Sequence, residues 1–344
     1  MLDHRFRVTK YDPRLRDARG VFTGDDWTSI SDVGGVFDGR RLTWERYEQV
    51  EAAHVRAVQL FAQESGVTEL TVRTPSLHGL GSGSPLPDHV SAVSGGLSPE
   101  DFHDGLTVSL TTGLELVRAM LREDGLWCLL EAEDRFRVAV GWDYYLYIGS
   151  HRPCSQVVDR VRELGLFVDE GFISPYDPDL GDPMAFRPAD EEFWTEVESL
   201  AARAGGELPL LEMWAGNAWR WHLVTPGEGI ARVRSALRPR AVVTVFTDAP
   251  VAADGDGMTE IEERIRRLLH EGSPVVGVMC LIEDRETGKL HHAYLLDEDE
   301  LPAWLETARS ARRCGVYPVE TDDRPEVLTA VLPDEDGTVR ARWS

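Results

Sequence analysis

LWCLLEAEDRFRVAVGWDYYLYIGS, residues 126–150, decides the fold, because two apolar runs flank a short charged turn. The even-numbered residues of both runs are mostly apolar, which is the two-residue period of a half-buried strand. A loop over 133–135 pairs residue 132 with 136 and residue 130 with 138, and it sets Glu131 opposite Arg137. The stretch predicts an antiparallel hairpin whose second strand continues through Ile148, with Trp142 and Tyr144 among the residues that face the core.

The opposite face of this second strand carries Asp143, Tyr145 and Tyr147. Core packing does not account for these three residues. Tyrosine gives a large contact area at a small cost in side-chain entropy, so two tyrosines beside a carboxylate suit a surface that binds another protein. The alternative is that a helix of the same domain covers this face. Both alternatives are open from the sequence.

Helix and strand signals alternate along the rest of the chain. Thr43 and Asp190 precede helical patterns as N-caps, and Gly66 and Gly165 follow such patterns as stop signals. Hairpin signals outnumber the strand–helix–strand signals of parallel sheets. We therefore predict an α+β protein with mostly antiparallel sheets and packed helices.

At 344 residues the chain is long enough for two domains. Residues 174–190 hold four prolines and four aspartates, which indicates a linker or a long surface crossing. We place the boundary near residue 180, with an N-terminal α+β domain over 1–178 and a C-terminal α+β domain over 190–344. Residues 78–96, rich in glycine, serine and proline, predict a flexible loop inside the first domain.

The chain is strongly acidic, with a formal net charge of −24 at pH 7. Both halves are acidic, since residues 1–180 hold 18 basic and 29 acidic side chains and residues 181–344 hold 18 and 31. Neither half is therefore a basic nucleic-acid module. Such acidity favours solubility, or attraction to a basic partner. With no signal-peptide pattern and no long apolar run, we expect a cytoplasmic protein that does not associate with membranes.

No catalytic or cofactor motif stands out. The sequence lacks the glycine-rich nucleotide loops, the HExxH metal motif and the GxSxG nucleophile motif. Its four cysteines form no CxxC pair. We predict no cofactor, no metal and no catalytic residue. An enzyme of unknown class is retained only as a second alternative, after RNA binding.

The first alternative is RNA binding, and one arginine-rich segment is the candidate site for it. The segment ARVRSALRPR, residues 231–240, holds four arginines: Arg232, Arg234, Arg238 and Arg240. If these guanidinium groups converge, a basic patch could persist on an acidic protein and could also stack on bases. The competing interpretation is that each arginine pairs with a nearby acid.

Segments spread over nearly the whole chain, among them RVTKYDP (7–13), VGWDYYLYIGS (140–150) and RPADEEFW (187–194), resemble a family of uncharacterised actinobacterial proteins. Some members of that family are labelled RNA-binding. The segment around 141–150 is also similar to small bacterial toxin-immunity proteins. Neither resemblance implies a catalytic residue. Our leading hypothesis is a non-catalytic interaction protein that binds a protein partner, such as a basic toxin or nuclease, through Asp143, Tyr145 and Tyr147.

Overall fold

The computed structural model describes residues 2–78, 85–177, 187–204, 206–271, 277–318 and 327–340. Contacts divide the chain into two units, one built mainly from Met1–Ala185 together with Trp214–Ala218, the other from Phe186–Met213 and Trp219–Arg340. The boundary predicted near residue 180 lies outside the described residues. The domain limits 1–178 and 190–344 remain a prediction.

The first unit contains nine strands and four α-helices in its described residues. The strands are β1 (His4–Thr9), β2 (Val36–Phe37), β3 (Arg40–Arg41), β4 (Glu69–Leu77), β5 (Thr107–Ser109), β6 (Leu126–Ala132), β7 (Phe136–Val140), β8 (Leu146–Ser150) and β9 (Phe167–Glu170). The helices are α1 (Trp44–Glu64), α2 (Asp88–Ser94), α3 (Leu110–Leu121) and α4 (Ser155–Glu163). Helix α2 lies inside the segment 78–96 that we predicted to be a flexible loop, so that prediction is wrong for residues 88–94.

Seven of these strands form one antiparallel sheet in the order β5-β4-β6-β7-β8-β1-β9. Helices α1 and α3 pack on one face of it, where Phe6 of β1 meets Phe61 of α1 at 4.8 Å between ring centroids. Gly113 lets α3 approach closely, because a Cβ there would lie 2.5 Å from Leu70 of β4. The core-facing residues of the strands, such as Val8 and Ile148, are buried against these helices.

The predicted register of the hairpin β6–β7 is confirmed. Ala132 pairs with Phe136, and Glu131 lies opposite Arg137. The alternation of apolar residues and the charge pair specify the same register, because a slip of one residue would move every core side chain to the opposite face.

The second unit contains eight strands and four α-helices in its described residues. The strands are β10 (Leu208–Ala215), β11 (Ala218–Val224), β12 (Val242–Phe246), β13 (Val251–Ala252), β14 (Val278–Glu283), β15 (Leu290–Leu295), β16 (Arg313–Pro318) and β17 (Val327–Val331). The helices are α5 (Glu191–Arg203), α6 (Glu228–Ala236), α7 (Gly255–Glu271) and α8 (Leu301–Ala308). Helix α8 ends at Ala308, and strand β16 begins five residues later at Arg313.

These elements form two four-stranded sheets, in the orders β11-β10-β12-β17 and β13-β16-β14-β15. Helices α5 and α6 share an apolar core with the first sheet, and α7 and α8 share one with the second. A third cluster, centred on Phe246, Met279, Leu281 and Tyr317, joins residues of both sheets. The layers therefore follow the order helices, sheet, sheet, helices, and the predicted α+β class with mostly antiparallel sheets is confirmed.

Candidate functional site

The segment GWDYY, residues 141–145, is a turn and not the continuation of a strand. Strand β7 ends at Val140, β8 begins at Leu146, and these two residues pair with each other. Between them, Asp143 and Tyr144 both adopt left-handed backbone conformations, with φ of 55° and 59°. Two consecutive left-handed residues reverse the chain, so the predicted strand over 136–148 is wrong at this point.

Trp142 is 85% exposed, although we predicted that it faces the core. The two-residue alternation that placed it there fails, because the strand stops before it. No glycine or asparagine marks positions 143 and 144, which are the residue types that usually signal such a turn. Trp142 is thus a surface residue that sequence reasoning missed.

Tyr144 anchors the turn, since only 3% of it is exposed. Its ring meets Trp27 edge-on at 4.8 Å between centroids, and it lies 5.3 Å from the ring of His54 and 5.9 Å from that of Tyr47. A left-handed tyrosine carries backbone strain, which this packing offsets. The buried ring fixes the turn, and Trp142 is therefore presented from a fixed backbone.

Tyr145 and Tyr147 are half-buried and lie on the sheet face opposite the helices. Their rings stack at 6.4 Å with an interplanar angle of 25°. The Tyr145 hydroxyl accepts a hydrogen bond from Arg16 at 3.0 Å. The ring of Tyr147 packs against Phe172 and Tyr176 at 5.9 and 5.8 Å. The segment 171–177, and not a helix, therefore covers part of this face.

Asp143 belongs to the turn that precedes β8. It is exposed beside Trp142. Of the three residues predicted to form one surface, the two tyrosines stack on each other and Asp143 lies in the turn. We call Trp142, Asp143, Tyr145 and Tyr147 the turn surface.

A cavity of 20 Å³ lies next to Tyr147, lined among others by Arg137, Phe172 and Asp177. Asp177 accepts a hydrogen bond from Arg137 at 3.1 Å. A volume of this size holds about one water molecule. This cavity is therefore too small for a substrate larger than water.

Three of the four arginines proposed for RNA binding are paired with acids. Arg234 lies 2.5 Å from Glu191, Arg240 lies 2.8 Å from Asp334, and Arg238 lies 3.4 Å from the buried Glu212. The fourth, Arg232, is exposed on α6. A phosphate would have to compete with these carboxylates for three of the guanidinium groups. RNA binding through this segment remains a prediction.

Glu212 is the most enclosed of these acids, with none of its side chain exposed. The imidazole of His222 lies 2.8 Å from it, and the Arg238 amide donates to it at 2.7 Å. Burial works against the charged carboxylate, but these donors outweigh burial and lower the pKa of Glu212. The acid is therefore a charged structural centre that organises Arg238.

Within the described ranges, no group of three or more His, Cys, Asp or Glu side chains is arranged to hold a metal ion. In the same ranges, every helix is too short or too polar to span a bilayer. No family model, no curated protein and no solved structure matches this chain.

Proposed function

We propose that this protein is a non-catalytic interaction protein of the cytoplasm, which binds a cationic protein such as a basic toxin or nuclease through the turn surface. The observation that carries the proposal is the contrast within the turn. Trp142 is 85% exposed, whereas Tyr144, two residues later, is 3% exposed. The chain holds a large apolar side chain in water on an anchored backbone.

An exposed tryptophan in this position suits a binding hot spot. Tryptophan is enriched among the residues that dominate interface energies, because its indole buries a large area and retains one hydrogen-bond donor. Since Tyr144 already fixes the turn, binding would cost little further ordering of the backbone. Tyr145 and Tyr147, three and five residues later in the chain, add contact area at a small cost in side-chain entropy.

Charge supports a cationic partner. Asp143 is exposed next to Trp142, and the whole chain carries a net charge of −24. A lysine or arginine of the partner could pair with Asp143 while its neighbours contact the indole. The acidic field would raise the encounter rate with a basic protein and would disfavour nucleic acid.

Capture from a lysate of the native host, followed by mass spectrometry and a binding assay on the recovered partner, tests the proposal. We expect Trp142→Ala to weaken binding by about 2 kcal/mol or more, because the indole is the main apolar anchor. Trp44→Ala is the matched control, since Trp44 is 47% exposed in the same unit. It should leave the affinity unchanged.

The double variant Tyr145→Ala, Tyr147→Ala then tests the rest of the surface, and we expect a smaller loss because both rings are already half-buried. Equal affinity of wild type and Trp142→Ala for the recovered protein would refute the proposal. Capture of RNA instead, with affinity that depends on Arg232 and falls steeply with salt, would favour the RNA alternative.

A further inference from the structure

A second exposed aromatic surface lies in the second unit, where strands of its two sheets meet. His292 of β15 is the centre, with the ring of Trp219 at 5.2 Å and that of Tyr294 at 5.1 Å between centroids. Leu296 follows one residue after β15 ends. We call Trp219, His292, Tyr294 and Leu296 the aromatic rim.

The rim is the open end of the apolar layer between the two sheets. Trp221 and Leu290, both partly buried, pack against Phe246 and Leu281 of that layer. Along β15 the layer opens, because His292 is half-buried while Tyr294 and Leu296 are 49% and 50% exposed. Trp219 is 45% exposed on the other side. Trp219 and Tyr294, which both contact His292, are thus left about half in water.

The imidazole of His292 holds the rim in place. Its Nδ1 accepts a hydrogen bond from the Trp221 indole at 2.9 Å, so the proton of the neutral ring is on Nε2. Burial lowers the pKa of His292, which favours this neutral form. The ring is thereby held between Trp219 and Tyr294 as part of a preformed surface.

Both strands of the rim are edge strands. In the described part of the chain, β15 pairs only with β14, and β11 pairs only with β10. An edge strand presents backbone N–H and C=O groups that an extended segment can pair with. The side chains along β15 alternate, so such a segment would bring every second side chain toward the rim.

Four consecutive acids, Asp297 to Glu300, follow the rim directly and are exposed. Arg266 neutralises one of them, since it lies 3.1 Å from Glu298. The rest make the border of the rim negative. Exposed tryptophan and tyrosine rings attract lysine and arginine. The rings and the acidic border therefore both favour a positively charged partner. The same border repels the phosphates of nucleic acid and of anionic lipid.

From these observations we infer that the aromatic rim is a second binding surface, and that its occupant is an extended protein segment with alternating arginines or lysines. The segment pairs with the outer edge of β15, places its cationic side chains over Trp219 and Tyr294, and meets the acids that follow. The inference is independent of the turn surface, because it rests on residues of the second unit alone.

A fluorescein-labelled peptide of alternating threonine and arginine is the probe, titrated against the full chain by fluorescence anisotropy. We expect saturable binding that weakens at least about tenfold, or ~1.4 kcal/mol, in Trp219→Ala and in Tyr294→Ser. Asp299→Lys should weaken it as well, because it reverses a border charge. Trp44→Ala, which removes a half-exposed indole outside both surfaces, should bind like wild type.

A labelled peptide of alternating threonine and glutamate is the control for charge, and it should not bind. Since Trp219 and Tyr294 are about half exposed, both variants should keep the thermal midpoint of wild type, which the same samples can confirm. Three outcomes would overturn the inference: no binding of the arginine peptide up to about 1 mM, equal binding of the glutamate peptide, or unchanged binding by both rim variants.

Discussion

The amine of Lys10 is enclosed by two aromatic rings. Its Nζ lies 4.1 Å from the ring centroid of Tyr11 and 4.2 Å from that of Trp27, and 2.8 Å from a carboxylate oxygen of Asp26. Only 6% of the side chain is exposed. Burial lowers the pKa of Lys10 to about 8, because the lost hydration outweighs the ion pair with Asp26.

This value can be measured directly, since Lys10 and Lys289 are the only lysines in the chain. In protein labelled with ¹³C-lysine, we expect one of two Cε signals to titrate near pH 8, and Lys289→Arg assigns it. Asp26→Asn should lower that pKa further, because it removes the carboxylate that favours the charged amine. A Lys10 signal that titrates at the pH of a free lysine side chain would contradict the enclosed geometry.

His54 of α1 makes the stability of the first unit depend on pH. It is fully buried, and its Nδ1 lies 2.8 Å from the Val50 carbonyl. Burial lowers the pKa of His54 to about 4. An unfolded histidine titrates near ~6.5, so between these values the unfolded chain binds a proton that the folded chain does not. The free energy of unfolding therefore falls as the pH drops through this window.

The expected loss is about 3 kcal/mol between pH 6.5 and 4, on top of the loss from carboxylates. Urea unfolding of wild type and His54→Gln at pH 7 and near pH 4.5 measures it. The carboxylates titrate in both proteins. The difference between the two proteins in how the free energy of unfolding changes with pH therefore gives the contribution of His54. If the free energy of unfolding changed equally with pH in the two proteins, the imidazole of His54 would take up no proton on unfolding, which would contradict the prediction.

At the scale of the element, the hairpins show what local pattern can predict. The register of β6 and β7 follows from the sequence, because apolar alternation and the Glu131–Arg137 pair agree. Helix α1 follows too, since Thr43 caps it by accepting from the Arg46 amide, and Gly66 ends it with a φ of 68°. Each of these signals is contained within a few residues.

The elements that were missed depend on distant partners. No local pattern in the sequence predicts strand β16. Pairing with β14 makes residues 313–318 a strand, and in this ladder Cys314 lies opposite Ile282. Arg313 strengthens the placement, with its Nε 2.5 Å from the buried Glu283. None of these partners is within the window that a local pattern covers.

The candidate site was predicted only in part for the same reason. Alternation correctly placed Tyr145 and Tyr147 off the core face, because they belong to or border β8. It failed at Trp142, where packing of Tyr144 against Trp27 and His54 stabilises two left-handed residues. That packing joins segments far apart in the chain. The turn surface is a product of tertiary structure and not of local sequence.

At the scale of the whole molecule, the acidity is spread along the sequence. Both halves carry an excess of acids, and the net charge is −24. Many arginines are used in ion pairs within the chain, such as Arg7 with Asp169 and Arg264 with Asp248. A single exposed carboxylate such as Asp143 is thus one of many contributions to the field that a partner meets at a distance.

This distribution predicts a division of roles in the binding kinetics of the recovered partner. The long-range field sets the association rate, so that rate should fall about tenfold or more when salt rises from ~20 to ~500 mM. Asp143→Asn removes one charge of many and should change the association rate less than about twofold. Trp142→Ala removes a short-range contact, so the loss of affinity should come from a faster dissociation rate. Surface plasmon resonance across salt measures both rates, and an association rate independent of salt would contradict a cationic partner.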